Sequence, residues 1–174
     1  MSTATATDAK TVQVYRIYIK ATAQAVWDAI TKPEWTDRYG YGGKTDYDLT
    51  AGSRYETHPS DAMVKAGEEM GYPTPDVIVD GEVVAADPPH RLVVTWRMLM
   101  DPGLAAEGFT TVTWEIKEVA SGGVKLTVAH DVTGAPGIAG MIEGNNEDQG
   151  AGGGWAWVLS DLKSLLETGS PLQG

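Results

Sequence analysis

One segment constrains this chain more than any other. Trp155–Glu167 is the best amphipathic helix in the sequence: Trp155, Leu159, Leu162 and Leu166 recur on one face, Val158 and Leu165 lie beside them, and Ser160, Asp161 and Lys163 fall on the side expected to meet water. Gly169 and Pro171 end it. Most of what precedes it reads as strands and tight turns. A hairpin-rich sheet has an apolar face to cover, and this helix is the element able to cover it.

The strands follow from alternation and turn chemistry. Thr11–Lys20 alternates through Val12, Val14, Tyr15, Ile17 and Ile19, with a parity change near Tyr15 that implies a bulge or burial on both faces. Thr22 is placed to cap a short helix through Thr31, with Val26, Trp27 and Ile30 as its stripe, and Pro33 suits the first turn of a second, Glu34 to Arg38. Strands are expected at Lys44–Leu49 and Ser53–His58, then at Val77–Ala86 and Arg91–Met100 around the turn Asp87-Pro88-Pro89-His90. The last pair is Gly108–Val119 and Val124–Val132, hinged at Ser121-Gly122-Gly123. Two stretches interrupt the pattern. Residues 59–76 hold three Pro and two Gly and read as a long loop, and eight of the 21 residues from Gly134 to Gly154 are glycine, which argues against a stable helix there.

Length and composition bound the function. The 174 residues suit one domain, 11–168, between a disordered lead-in 1–10 and a flexible tail 169–174. A formal net charge of -11 argues against nucleic acid and anionic membranes as partners. No apolar run approaches the roughly 18 residues that a spanning helix needs, and Met1 to Lys10 is no secretory signal. The absence of cysteine removes disulfides, thiol nucleophiles and Cys-based zinc sites, and is compatible with a cytoplasmic location. No Gly-x-Ser-x-Gly, His-Glu-x-x-His or phosphate loop with a following Lys is present, and neither the three histidines nor Glu143, Glu147 and Asp148 have metal-ligand spacing. No cofactor and no metal are therefore expected.

Four segments carry a family resemblance. The run Gly81 to Trp96 around Asp87-Pro88-Pro89 resembles the central hairpin of the SRPBCC (START-like, birch-pollen-allergen-like) superfamily, closest to its activator of heat-shock-protein-90 ATPase homologue-like branch. Ile19 to Thr31, with Ala25-Val26-Trp27, looks like that branch's first strand and helix. Thr113-Trp114-Glu115 with Leu126 to His130 is similar to its last hairpin, and Gly154-Trp155 through Glu167 to its closing helix. The resemblance implies an α+β helix-grip fold: a curved antiparallel sheet of about six to seven strands wrapped around the C-terminal helix and an internal cavity, with two short helices after the first strand. It also implies that segments 59–76 and 134–154, longer than the branch usually carries, flank the cavity mouth.

Phase along the strands selects candidate site residues. Trp96 and Met98 share a face with Leu92, Val94 and Met100, as do Trp114 with Val112 and Ile116, and His130 with Val124, Leu126 and Val128. These face the C-terminal helix, where Trp155 and Leu159 would meet them. The aliphatic members make ordinary core; the indoles, whose N–H needs a partner, suit either a core or a pocket wall. His130 is either a satisfied strand-end histidine or a neutral imidazole in the pocket. Arg54, Glu56 and His58 share one face of their strand, which makes them either a solvated set or a polar cluster inside the cavity. Arg97 falls on the solvent side.

Three functions compete. The first is binding of a small hydrophobic or aromatic ligand, by a monomer or homodimer, with the Trp residues lining the cavity and methionines as adaptable wall. The second is a polyketide cyclase- or dehydratase-like enzyme with His130 or His58 as general base. The third is a chaperone-regulating interaction module, suggested by the branch name, with no room before Thr11 for the extra N-terminal domain that the eukaryotic activators carry.

Overall fold

The computed structural model describes residues 11–149 and 152–172; the expected lead-in, 1–10, lies outside them. Seven antiparallel strands form one curled sheet in the order β1-β7-β6-β5-β4-β3-β2. They are β1 (Val12–Ile19), β2 (Lys44–Thr45), β3 (Arg54–His58), β4 (Val79–Asp87), β5 (Arg91–Met98), β6 (Thr110–Glu118) and β7 (Val124–Asp131). Two short helices, α1 (Ala23–Thr31) and α2 (Pro33–Thr36), follow the first strand, and α6 (Gly154–Thr168) closes the chain inside the sheet's curl.

Local chemistry explains these elements. Thr22 caps α1 by accepting the amide of Ala25 at 3.1 Å, so that Val26, Trp27 and Ile30 turn into the core. Gly169 ends α6 in the left-handed conformation, its amide donating to the Leu165 carbonyl. Leu159 and Leu162 of α6 are buried against the sheet, at about 1.5–3 kcal/mol for each such side chain.

Several expectations need correction. β1 pairs with β7 in unbroken register from Val12↔Asp131 to Ile19↔Val124, without a bulge. Gln13, Tyr15, Ile17 and Ile19 are its more covered positions, while Val12 and Val14 are exposed. The apparent parity change came from two surface valines. β2 stops at Thr45, and Asp48 turns the chain by accepting the Thr50 amide at 3.0 Å.

Both irregular segments contain helix. Ser60 caps α3 (Asp61–Glu69) through the Met63 amide. A short α4 (Pro102–Ala105), capped by Asp101, leads to Glu107, whose two carboxylate oxygens accept the amides of Gly137 and Ile138 at 2.9 and 2.8 Å. That carboxylate caps α5 (Pro136–Glu143) from a distant part of the chain. A Cβ at Gly137 would lie 2.9 Å from the Glu107 carboxylate, so glycine here admits the cap rather than loosening the helix.

Asp161 also departs from the surface role expected of it. It is 3% exposed and accepts the amides of Gly40, at 2.7 Å, and Leu172, at 2.6 Å. One buried carboxylate thus ties the loop after α2 and the start of the C-terminal tail to α6. The Ser170 carbonyl is held as well, accepting from the Ser164 hydroxyl at 2.8 Å. The D161A variant leaves two amides without their acceptor and is expected to lose about 2–3 kcal/mol of stability. Urea unfolding of wild type and variant measures this, and a loss below about 0.5 kcal/mol would contradict the anchoring role.

Candidate functional site

A cavity of about 390 Å³ opens between the concave face of the sheet and α6, within the roughly 300–1,000 Å³ range of small-molecule pockets. β5 and β6 supply Trp96, Met98 and Trp114 to its wall, and α6 supplies Trp155 and Val158. Part of the wall is phenolic: Tyr39 and Tyr41 come from the loop that Asp161 anchors, and Tyr47 and Tyr55 from β3 and the segment before it. Met63 of α3 and Met141 of α5 also line it, so both long segments border the cavity. Among the described residues, none that lines it carries a charged side chain.

The indoles are held edge to face. Trp114 and Trp155 have ring centroids 5.2 Å apart at 87°, and Trp96 stands at 82° to the His130 ring, 5.3 Å away. Trp155 donates its N–H to His130 Nδ1 at 3.1 Å. An indole nitrogen can only donate, so Nδ1 must present its lone pair and the imidazole proton sits on Nε2. Nε2–H then donates to the Thr110 hydroxyl at 2.7 Å, and that hydroxyl donates to the Trp96 carbonyl at 3.1 Å. The network has one direction throughout, from the indole to the imidazole and from the imidazole through the hydroxyl to the backbone.

His130 is therefore fully buried and satisfied, behind Trp155 and not on the cavity wall. Its burial pushes the imidazole pKa down from 6.5 to about 4, against a small opposing effect of Asp131. Both nitrogens are occupied, which leaves no lone pair to take a substrate proton. Leu159, one turn along α6 from Trp155, is likewise packed in the core and does not reach the cavity.

The candidates on β3 fall on the outer face. Arg54, Glu56 and His58 are exposed, while Tyr55 and Thr57, between them, line the cavity. His58 Nδ1 lies 2.8 Å from the Asp76 carbonyl, and Nε2 lies 3.6 Å from Glu56. Arg54 instead joins Arg97 in holding Asp80 of β4: Arg97 donates twice, at 2.9 and 2.7 Å, and Arg54 once, at 2.9 Å. Hydrogen bonds and charge from Arg97, then from Arg54, keep the Asp80 carboxyl below the usual range. The solvated alternative holds for this set.

The phenols were missed by sequence reasoning, although one signal pointed to them. If Arg54, Glu56 and His58 face water, alternation sends Tyr55 and Thr57 inward. Tyr55 donates to the Thr95 carbonyl at 2.5 Å, and Tyr39 to the Ala29 carbonyl at 3.0 Å. The Tyr41 oxygen accepts the Gly154 amide at 3.2 Å. Among the described residues, no group of three or more His, Cys, Asp or Glu side chains is placed to hold a metal ion. No helix among them is long and apolar enough to cross a membrane.

Because the unfolded chain binds a proton at His130 near pH 6.5 and the folded chain only near 4, acid favours unfolding across that interval. Stability from this residue is complete above about pH 7 and falls by about 3 kcal/mol by about pH 4. Urea unfolding of wild type and H130Q over that range tests it. The advantage of wild type at neutral pH should shrink as pH falls; an advantage independent of pH would show that His130 is not buried as a neutral group.

Comparison with known proteins places this geometry in a wider group. No curated protein matches the chain. A solution structure of the protein encoded by gene BPP1335 of Bordetella parapertussis shares the fold with a TM-score of 0.62 and 19% identity, over 92% of this chain and 76% of that one. The Aha1 dimer from Colwellia psychrerythraea matches with a TM-score of 0.58 and 16% identity, over 91% and 98% of the two chains. DynU16, a protein in the dynemicin biosynthetic locus, matches with a TM-score of 0.58 and 20% identity, over 92% of this chain and 48% of its own. Sequence over residues 20–167 fits the family model described as Activator of Hsp90 ATPase homolog 1-like protein, and the chain, with its SRPBCC-type fold, belongs to that family.

Proposed function

We propose that this protein binds a small hydrophobic or aromatic molecule in the cavity between the sheet and α6. The observation that carries the proposal is the wall itself: three indoles and several methionines around about 390 Å³, with no charged side chain among the described residues that line it. A solid core would have closed that space, because interiors pack to crystal-like density. Methionines adapt to a ligand's outline, and indole faces and edges offer aromatic contacts.

The enzyme alternative draws less support. A histidine base needs a nitrogen open to the substrate. His130 has both nitrogens engaged, and His58 lies on the outer face. A chaperone-regulating role rests on the family's description and on the name of one structural relative, and it assigns no part to the cavity.

Titration with lipophilic aromatic compounds should quench the intrinsic tryptophan fluorescence saturably, with one site per chain. Val158 lies on the cavity wall and is only partly buried, so V158W fills the space from α6 while the fold tolerates it. In V158W, calorimetric affinity should fall at least tenfold with the far-ultraviolet spectrum unchanged. Unsaturable quenching, or equal affinity in V158W, would contradict the proposal.

A further inference from the structure

The hydroxyl groups around the cavity restrict what it can hold. Four tyrosines line it, and two have their protons committed: Tyr55 donates to the Thr95 carbonyl and Tyr39 to the Ala29 carbonyl. The threonines are paired too. Thr36 donates to the Thr45 carbonyl at 3.4 Å while accepting the Thr45 amide at 2.9 Å, and the Thr45 and Thr57 hydroxyls pair at 2.7 Å, which uses one of their two protons. Tyr41 accepts the Gly154 amide through its oxygen, which leaves its proton available. Tyr47 differs from all of these. Its ring packs on Tyr55 with centroids 4.8 Å apart, and among the described residues its hydroxyl has no hydrogen-bond partner.

The Tyr47 hydroxyl is accessible on the cavity wall, and a ligand that covers it without accepting its proton would leave it desolvated and unpaired, which is costly. Burial also raises the Tyr47 pKa, so the group stays protonated and serves as a donor. The Trp155 N–H is already held by His130, so this indole contributes contact area and not a hydrogen bond.

Charge sets the second restriction. A carboxylate or ammonium in this cavity would meet no opposite charge, and burying an unpaired ion costs far more than burying a neutral polar group. The polar Asp80–Arg97–Arg54 group is built on the outer face of the sheet and does not line the cavity.

Resting on the binding function above, we infer that the ligand is an uncharged aromatic compound bearing a carbonyl or ether oxygen, which accepts a hydrogen bond from the Tyr47 hydroxyl. The aromatic part lies against Trp114 and Trp155, and the oxygen faces the phenolic side. Tyr47 acts as a specificity-determining residue: it separates ligands with an acceptor from hydrocarbons of the same shape.

Four probes on one ring system test this by calorimetry: acetylnaphthalene, ethylnaphthalene, naphthoate and naphthylmethylammonium, each against wild type and Y47F. In wild type, acetylnaphthalene should bind about threefold to tenfold more tightly than ethylnaphthalene, the effect of one neutral hydrogen bond. Both ionic probes should bind at least tenfold more weakly than ethylnaphthalene. Y47F should erase the acetyl preference, weakening acetylnaphthalene and binding ethylnaphthalene at least as tightly as wild type does. Tightest binding of naphthoate or of the ammonium probe, or an acetyl preference that survives in Y47F, would overturn the inference while leaving the binding function intact. Saturation by none of the four would overturn the binding function and this inference together. The order of the four probes on wild type decides the charge and acceptor claims even if Y47F fails to fold.

Discussion

The hydrogen bond from the Trp155 indole to His130 Nδ1 joins the first turn of the closing helix to the last strand, and much of the interior is arranged around it. Because the indole can only donate, it selects the imidazole tautomer, and the tautomer orients the Thr110 hydroxyl toward the Trp96 carbonyl. Elements β5, β6, β7 and α6 are thereby linked by three bonds with no alternative direction. Trp155 stands at one wall of the cavity and cannot turn into it without leaving a buried nitrogen unpaired. The cavity keeps its shape through a polar network that lies behind its wall.

A second anchor works in the same sense at the other side. Asp161, six residues beyond Trp155 on α6, holds the loop that carries Tyr39 and Tyr41. A single helix thus positions both the indole wall and part of the phenolic wall. Glu107 does the corresponding work for α5, which brings Met141 to the cavity. Each of these anchors is a polar side chain that reaches backbone or ring groups far away in sequence, so the cavity is defined by long-range contacts more than by any one element.

That explains what the sequence discloses and what it hides. Strand phase and helical spacing are local, and they place Trp96, Met98, Trp114 and Trp155 on one interior correctly. The antiparallel strands and the closing helix follow from the same patterns, and the curl of the sheet from the family resemblance. Asp161 looks like a surface acid because its partners, Gly40 and Leu172, are backbone amides that leave no mark in composition. Helix α5 is hidden because its cap, Glu107, lies 30 residues earlier and its glycines look like flexibility when at Gly137 they admit a close approach. His130 was read as either satisfied or functional. Only the donor on Nδ1 decides between these, and spacing cannot show it.

Structure and the proposed recognition are therefore separate: the His130 network holds the cavity in shape, and the cavity wall is where the proposed ligand would sit. Long-range nitrogen–proton NMR of the imidazole tests this most directly, recorded across about pH 5 to 8 with and without a saturating neutral aromatic ligand. His130 is predicted to remain the Nε2–H tautomer throughout, without titrating near 6.5 and without exchanging its proton when ligand binds. An Nδ1–H form, a titration near neutrality or a change of tautomer on ligand binding would mean that His130 takes part in the chemistry of the site, and would contradict the account.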